Sequence, residues 1–178
     1  FRPRTAWAFD LYGGTVLLAA TRDGSPDATV SRILREEAEV GIRQPAYVSQ
    51  LQDRAKSSAD GLKAWLASQK HGGRTVFGYG AASRAVAMLA MADVDCAELS
   101  GVADASVAKW GRRMPGTNIP VISPADLLDA RPDYVLVLAP DLMGELCVQL
   151  PEIEANGGVW VNIEGLDAAH WSERSKRA

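Results

Sequence analysis

The residues best suited to chemistry lie in Val76-Phe77-Gly78-Tyr79-Gly80-Ala81-Ala82-Ser83-Arg84, where an apolar strand-like run meets two glycines and then a helix-forming stretch. A glycine turn between strand and helix leaves backbone N–H groups free to hold a phosphate or carboxylate, and the helix dipole favours negative charge there. The spacing Gly78-x-Gly80 matches the first half of a dinucleotide fingerprint, but Ser83 stands where the third glycine belongs. Two readings stay open: a ligand turn built on Gly78, Tyr79, Gly80 and Ala81, or a glycine turn that only packs helix on strand. Arg84, one turn into the helix, is a candidate anion ligand because a guanidinium meets phosphate or carboxylate bidentately. A surface arginine in water is the plainer alternative.

Asp104 follows the next strand-like segment, 24 positions after Gly80 (104 − 80). An acid about 20 residues beyond such a turn is where a ribose diol is held. A nicotinamide dinucleotide, S-adenosylmethionine and a nucleotide sugar all present that diol, so Asp104 does not separate them. In Ala103-Asp104-Ala105-Ser106 the aspartate is equally suited to forming a turn. The segment Lys109-Trp110-Gly111-Arg112-Arg113-Met114-Pro115-Gly116 sets three cations and an indole in one loop, expected beside the C-terminal edge of a sheet. Lys109, Pro115, Gly116 and Thr117 are therefore candidate ligand contacts, with a solvated charged loop as the alternative.

Catalytic equipment is sparse. His71 sits at an expected helix end and His170 near the C-terminus, neither beside an evident acid or nucleophile. There is no Gly-x-Ser-x-Gly elbow, lysine-bearing phosphate loop or His-Glu-x-x-His pair. Cys96 and Cys147 lack the spacing of a zinc site and are expected to be buried free thiols in a reducing cytoplasm. No metal site is expected. The chain is not expected to be a complete enzyme.

These residues need a scaffold. The 178 residues are 47% hydrophobic and 23% charged, enough apolar content for a substantial core. A net charge of −3 gives no basic footprint for nucleic acid. No run of about 18 apolar residues is available to span a membrane. Phe1 is not a translation start, and the first residues are too polar for a signal peptide; the chain is read as part of something longer.

Residues 7–11 and 15–21 read as two strands of a hairpin turned by Gly13-Gly14. Ser25 is expected to cap a helix with Pro26 at its first position, ended by Gly41. Residues 45–71 repeat apolar positions at three- and four-residue steps, a long helix stopped by Gly72-Gly73. Strand and helix patterns then alternate. Strands are expected over residues 74–80, 99–103, 119–122, 133–139 and 159–163, with helices over 81–92, 124–130 and 142–156. The continuous run Tyr134-Val135-Leu136-Val137-Leu138 suits a strand covered on both faces. The expected fold is α/β: a small doubly wound, mostly parallel Rossmann-like sheet preceded by a β-hairpin and two helices. Its parts are a hairpin over residues 1–23, a helical linker over 24–72, the Rossmann-like domain over 73–166 and a solvated tail over 167–178.

Four segments carry a family resemblance: Gly78-Tyr79-Gly80-Ala81-Ala82-Ser83-Arg84, Lys109-x-Gly111-x-x-x-Pro115-Gly116-Thr117-x-Ile119-Pro120-Val121, Pro132-Asp133-Tyr134-Val135-Leu136-Val137-Leu138-Ala139 and Asn156-Gly157-Gly158. In order and spacing the chain resembles the C-terminal domain of S-adenosylmethionine-dependent C-methyltransferases, the type that methylates nucleotide-linked sugars. Asp10-Leu11-Tyr12-Gly13-Gly14-Thr15 resembles the family's His-Gly-Gly-Ser stretch, with Tyr12 in place of histidine. Arg84 stands where lysine is usual, and Pro140-Asp141 replaces a common Trp-Asn.

The resemblance implies a cytoplasmic acceptor-binding domain whose hairpin belongs to an upstream methyltransferase domain that binds S-adenosylmethionine. The acceptor would be a nucleotide sugar or a related small molecule. The alternative from the residues themselves is a stand-alone NAD- or nucleotide-binding regulatory domain without catalysis.

Overall fold

The computed structural model describes residues 1–10 and 14–166 of the chain. The expected solvated tail over residues 167–178 and the hairpin-turn residues Leu11, Tyr12 and Gly13 lie outside the described residues.

Strands β1 (Arg2–Phe9) and β2 (Thr15–Thr21) pair antiparallel, from Phe9 opposite Thr15 back to Arg2 opposite Thr21. β1 starts at Arg2 rather than residue 7 because β2 is long enough to offer it partners that far. Its register shifts between Pro3 and Thr5, where proline has no N–H to give the ladder. Helix α1 (Ala28–Val40) is capped by Asp27, not by the expected Ser25. The Asp27 carboxylate accepts from the N–H groups of Thr29 (2.9 Å) and Val30 (3.1 Å), as a cap must. Gly41, at φ 76°, ends the helix as expected.

Helix α2 (Pro45–His71) has the expected bounds, and Gly73 at φ 68° releases the chain. Contacts divide the molecule inside α2, between Gln52 and Asp53. The later half of α2 belongs to the sheet's own core: Ala59, Leu62, Trp65 and Leu66 are buried against it.

The second unit holds five parallel strands in the order β5-β4-β3-β6-β7. They are β3 (Val76–Tyr79), β4 (Val102–Ala103), β5 (Val121–Ile122), β6 (Tyr134–Val137) and β7 (Val159–Asn162). All are shorter than the sequence pattern, although flanking residues still bond across the ladder: Ser100 N–H donates to Val76 C=O and Leu138 N–H to Tyr79 C=O. Period-two alternation sorts the side chains. Val76, Val102, Leu136 and Leu138 face a core shared with α2 and with α3 (Ser83–Met91). Tyr79, Ala103, Val135 and Val137 face a second core shared with α4 (Pro124–Ala130), α5 (Met143–Gln149) and α6 (Glu152–Ala155). Val135, Leu136 and Val137 are all 0% exposed, the double coverage expected of a central parallel strand.

The single helix expected over 142–156 is two helices. Pro151 removes a backbone donor and the chain turns at Leu150 (φ −129°, ψ 61°) before α6 begins. Both free cysteines were expected to be buried, but Cys96 is exposed and Cys147 half-buried. At the N-terminal edge of the sheet the Asp133 carboxylate accepts from the Thr75 N–H at 2.8 Å and from the Arg74 guanidinium at 2.9 Å, tying β3 to β6. Among the described residues no helix is long and apolar enough to cross a membrane.

Candidate functional site

Both glycines of the turn have a packing reason. A Cβ on Gly78 would sit 3.0 Å from Leu138 Cδ1 and 3.1 Å from Val102 Cγ2, because side chains of the neighbouring strands cross over it. Gly80 has φ 100°, a region closed to most side chains, and its Cβ position lies 3.3 Å from Ala139 Cβ. The turn therefore brings β3 close to the end of β6, and the space that glycine leaves is filled by Ala139. Beyond it, Ala82 N–H donates to Gly80 C=O at 2.8 Å and α3 starts without a side-chain cap. The N–H groups of Ser83, Arg84 and Ala85 have no intrahelical acceptor. Arg84 is exposed, with no partner among the described residues.

Asp104, directly after β4, occupies the place where a ribose-binding acid stands in this fold. Its carboxylate is already engaged. Oδ2 accepts from Ala81 N–H and from Lys109 Nζ, both at 2.8 Å, and Oδ1 accepts from Ser106 N–H at 2.8 Å. Lys109 Nζ also donates to Ala81 C=O at 3.0 Å, and Trp110 Nε1 to Asp104 C=O at 2.7 Å. A carboxylate offers about four acceptor positions. Three are used within the fold, so Asp104 locks the glycine turn to the end of β4 instead of presenting an open oxygen pair to a diol. The same contacts commit Lys109 and the Ala81 N–H.

The loop after Lys109 does not stay at this end of the sheet. Gly111 N–H donates to Val121 C=O and Val121 N–H to Arg112 C=O, so residues 111–114 run back antiparallel along β5. The Pro115-Gly116-Thr117 turn then falls at the strands' N-terminal end, sharing an open cleft with Asp93, Val94 and Asp95, which follow the C-terminus of α3. Pro115, Gly116 and Thr117 are thus separated from Gly80, Arg84 and Asp104 by the length of the sheet. His71 Nδ1 lies 2.7 Å from Ala67 C=O at the end of α2, a helix-terminus contact.

The described strand order places the topological switch point between β3 and β6, where α3 leaves to one face and α5 to the other. In open α/β sheets ligands bind in that crevice, outside the carboxyl ends of the strands. One wall is the start of α3, with the free N–H groups and Arg84. The other is the segment 138–142 and the first turn of α5, which carries Glu145. Tyr79, 5% exposed, ends β3 at the base. Burial pushes its hydroxyl pKa above the ordinary value, helped by the carboxylates of Asp104 and Glu145. Tyr79 is neutral at physiological pH, a hydrogen-bond donor rather than a base. Glu145 was not among the sequence candidates. Only the strand order reveals it as a wall of the crevice.

Residues 10–163 match the family model described as the C-methyltransferase C-terminal domain. The chain belongs to that family. A C-methyltransferase of Streptomyces niveus, NovU, is 29% identical over 155 residues, which are 85% of this chain and 37% of that protein. The chain thus spans well under half the length of the curated relative it matches. As a C-methyltransferase C-terminal domain, it has the expected α/β architecture with hairpin and helices ahead of the sheet. The match begins at Asp10, so β1 lies before the matched stretch.

Proposed function

We propose that this domain is the acceptor-binding part of an S-adenosylmethionine-dependent C-methyltransferase acting on a nucleotide-linked sugar or a related small molecule. The observation that carries this reading is the division of polar groups at the switch point. Among the described residues the start of α3 keeps the N–H groups of Ser83, Arg84 and Ala85 and the Arg84 guanidinium without partners, suited to a phosphate. The ribose-position acid is consumed internally. That acid is therefore closed to any ribose, of NAD or of a nucleotide sugar, so the reading rests on the anion end at α3 and the ligand screen below separates the two.

The same residues do not fit S-adenosylmethionine. The space beside Gly80 is taken by Ala139, and S-adenosylmethionine carries no phosphate for the start of α3. We assign the methyl donor and the acid-base groups to a methyltransferase domain upstream. The hairpin supports such a partner. Trp7, Phe9, Val16, Leu17 and Leu18 are each about half exposed and lie on both faces of a two-stranded sheet that is marginal alone. A cytoplasmic setting suits two unpaired cysteines.

The test is a thermal-shift screen of the protein against UDP-glucose, dTDP-glucose, GDP-mannose, S-adenosylmethionine and NAD. A ligand at 100 times its Kd stabilises by about 2.7 kcal/mol, a shift of roughly 5–10 °C for a chain of this size. Stabilisation by at least one nucleotide sugar is expected; stabilisation by NAD alone would reject the proposal.

A further inference from the structure

Tyr79 carries a hydroxyl that the fold does not use. Its ring packs in the core cluster with Ala103, Leu127, Val137 and Leu146, where phenylalanine would serve as well. Among the described residues the hydroxyl has no hydrogen-bond partner. It is not sealed: the fully enclosed side-chain polar atom lacking a partner is Trp160 Nε1. With its ring buried and its hydroxyl open to the surface, Tyr79 presents a donor that a ligand can take over from water. Tyr79 pairs in register with Ala103 on one side and Val137 on the other, at the C-terminal end of the central strand, its side chain on the α4 and α5 face of the switch point from which α3 leaves on the other.

The charges around it narrow the chemistry. The Asp104 carboxylate is neutralised by Lys109, but among the described residues Glu145 has no cation. Glu145 Oε1 accepts from Gln149 Nε2 at 2.6 Å, leaving Oε2 free. A phosphate beside Tyr79 would meet that carboxylate, whereas a ligand hydroxyl can accept from the tyrosine and donate to the glutamate.

We propose that Tyr79 is a specificity-determining residue of the crevice, its neutral hydroxyl donating to a hydroxyl oxygen of the acceptor's sugar while the phosphates lie at the start of α3. This rests on the acceptor-binding reading above and adds an orientation to it.

Tyr79→Phe tests it, with UDP-glucose, dTDP-glucose and GDP-mannose each titrated calorimetrically against its own nucleoside diphosphate. Loss of one hydrogen bond is expected to weaken the bound nucleotide sugar about 3- to 10-fold. The nucleoside diphosphate should bind unchanged, and Tm should stay level or rise by a degree or two, because no partner inside the protein is lost. Unchanged nucleotide-sugar affinity, equal weakening of sugar and diphosphate, or a Tm drop of more than about 3 °C would overturn the assignment of Tyr79 alone. Wild-type protein that binds no nucleotide sugar would overturn it together with the acceptor-binding reading.

Discussion

Asp104→Ala separates a structural aspartate from a ligand-binding one. The substitution deletes three acceptor contacts at 2.8 Å: Ala81 N–H, Ser106 N–H and Lys109 Nζ. They are not equal. The Lys109 side chain is 42% exposed and regains water, so its share is that of a surface ion pair, about 0–1 kcal/mol. Ser106 is exposed, so its N–H is rehydrated at small cost. The Ala81 N–H is half-buried within the turn, and a hydrogen bond to a charged acceptor contributes about 1.5–3 kcal/mol. The sum is roughly 2–4 kcal/mol, or a Tm lowered by about 5–15 °C at this chain length. Calorimetry with urea unfolding measures it, and a double-mutant cycle with Lys109→Met isolates the ion pair, whose coupling should stay under about 1 kcal/mol. A variant within about 0.5 kcal/mol of wild type, the range of an inert surface change, with reduced nucleotide affinity would show Asp104 to be a ligand, and the reasoning would fail.

Gly78→Ala should cost about 1–3 kcal/mol through overpacking against Leu138 and Val102, read by urea unfolding. Because the added methyl points into the core rather than the crevice, ligand affinity of the surviving fold should not change. The acid limb of stability should reflect Asp133, whose pKa lies below its ordinary 3.8 through the Thr75 N–H first and the Arg74 guanidinium next. A lowered folded pKa means that its contribution is complete above pH 3.8 and is lost as pH falls through the folded value. Asp133→Asn should therefore lower Tm at pH 7 and flatten its fall below pH 3.8; parallel acid limbs would contradict this.

The sheet was legible in the sequence because its signals are local. The run Tyr134-Val135-Leu136-Val137 announces a strand buried on both faces, and Gly41 and Gly73 end helices where their positive φ is needed. Local chemistry also misled. Ser25-Pro26 is a sound cap signal, but Asp27 offers a charged acceptor two residues later and takes the role. Asp104 and Lys109 do meet the glycine turn, but Pro115-Gly116-Thr117 does not join them, for a non-local reason. A loop of residues 111–114 pairs along β5 and carries its glycine turn to the opposite end of the sheet, which no spacing rule encodes. Glu145 was invisible for the same reason: its place in the crevice depends on β6 lying next to β3.

The glycines that draw attention in this sequence carry less functional information than their spacing promises. Gly78 is required by two side chains crossing β3, and Gly80 by a positive φ and by Ala139; both would be needed if the crevice never met a ligand. Asp104 is the same case, since its oxygens are committed to the turn. What packing does not require is more telling. The Tyr79 hydroxyl, the free oxygen of Glu145, the N–H groups at the start of α3 and the Arg84 guanidinium remain unspent at one edge of the sheet. Polar groups without partners among the described residues, at the edge where this sheet opens, are what the proposed acceptor-binding site rests on.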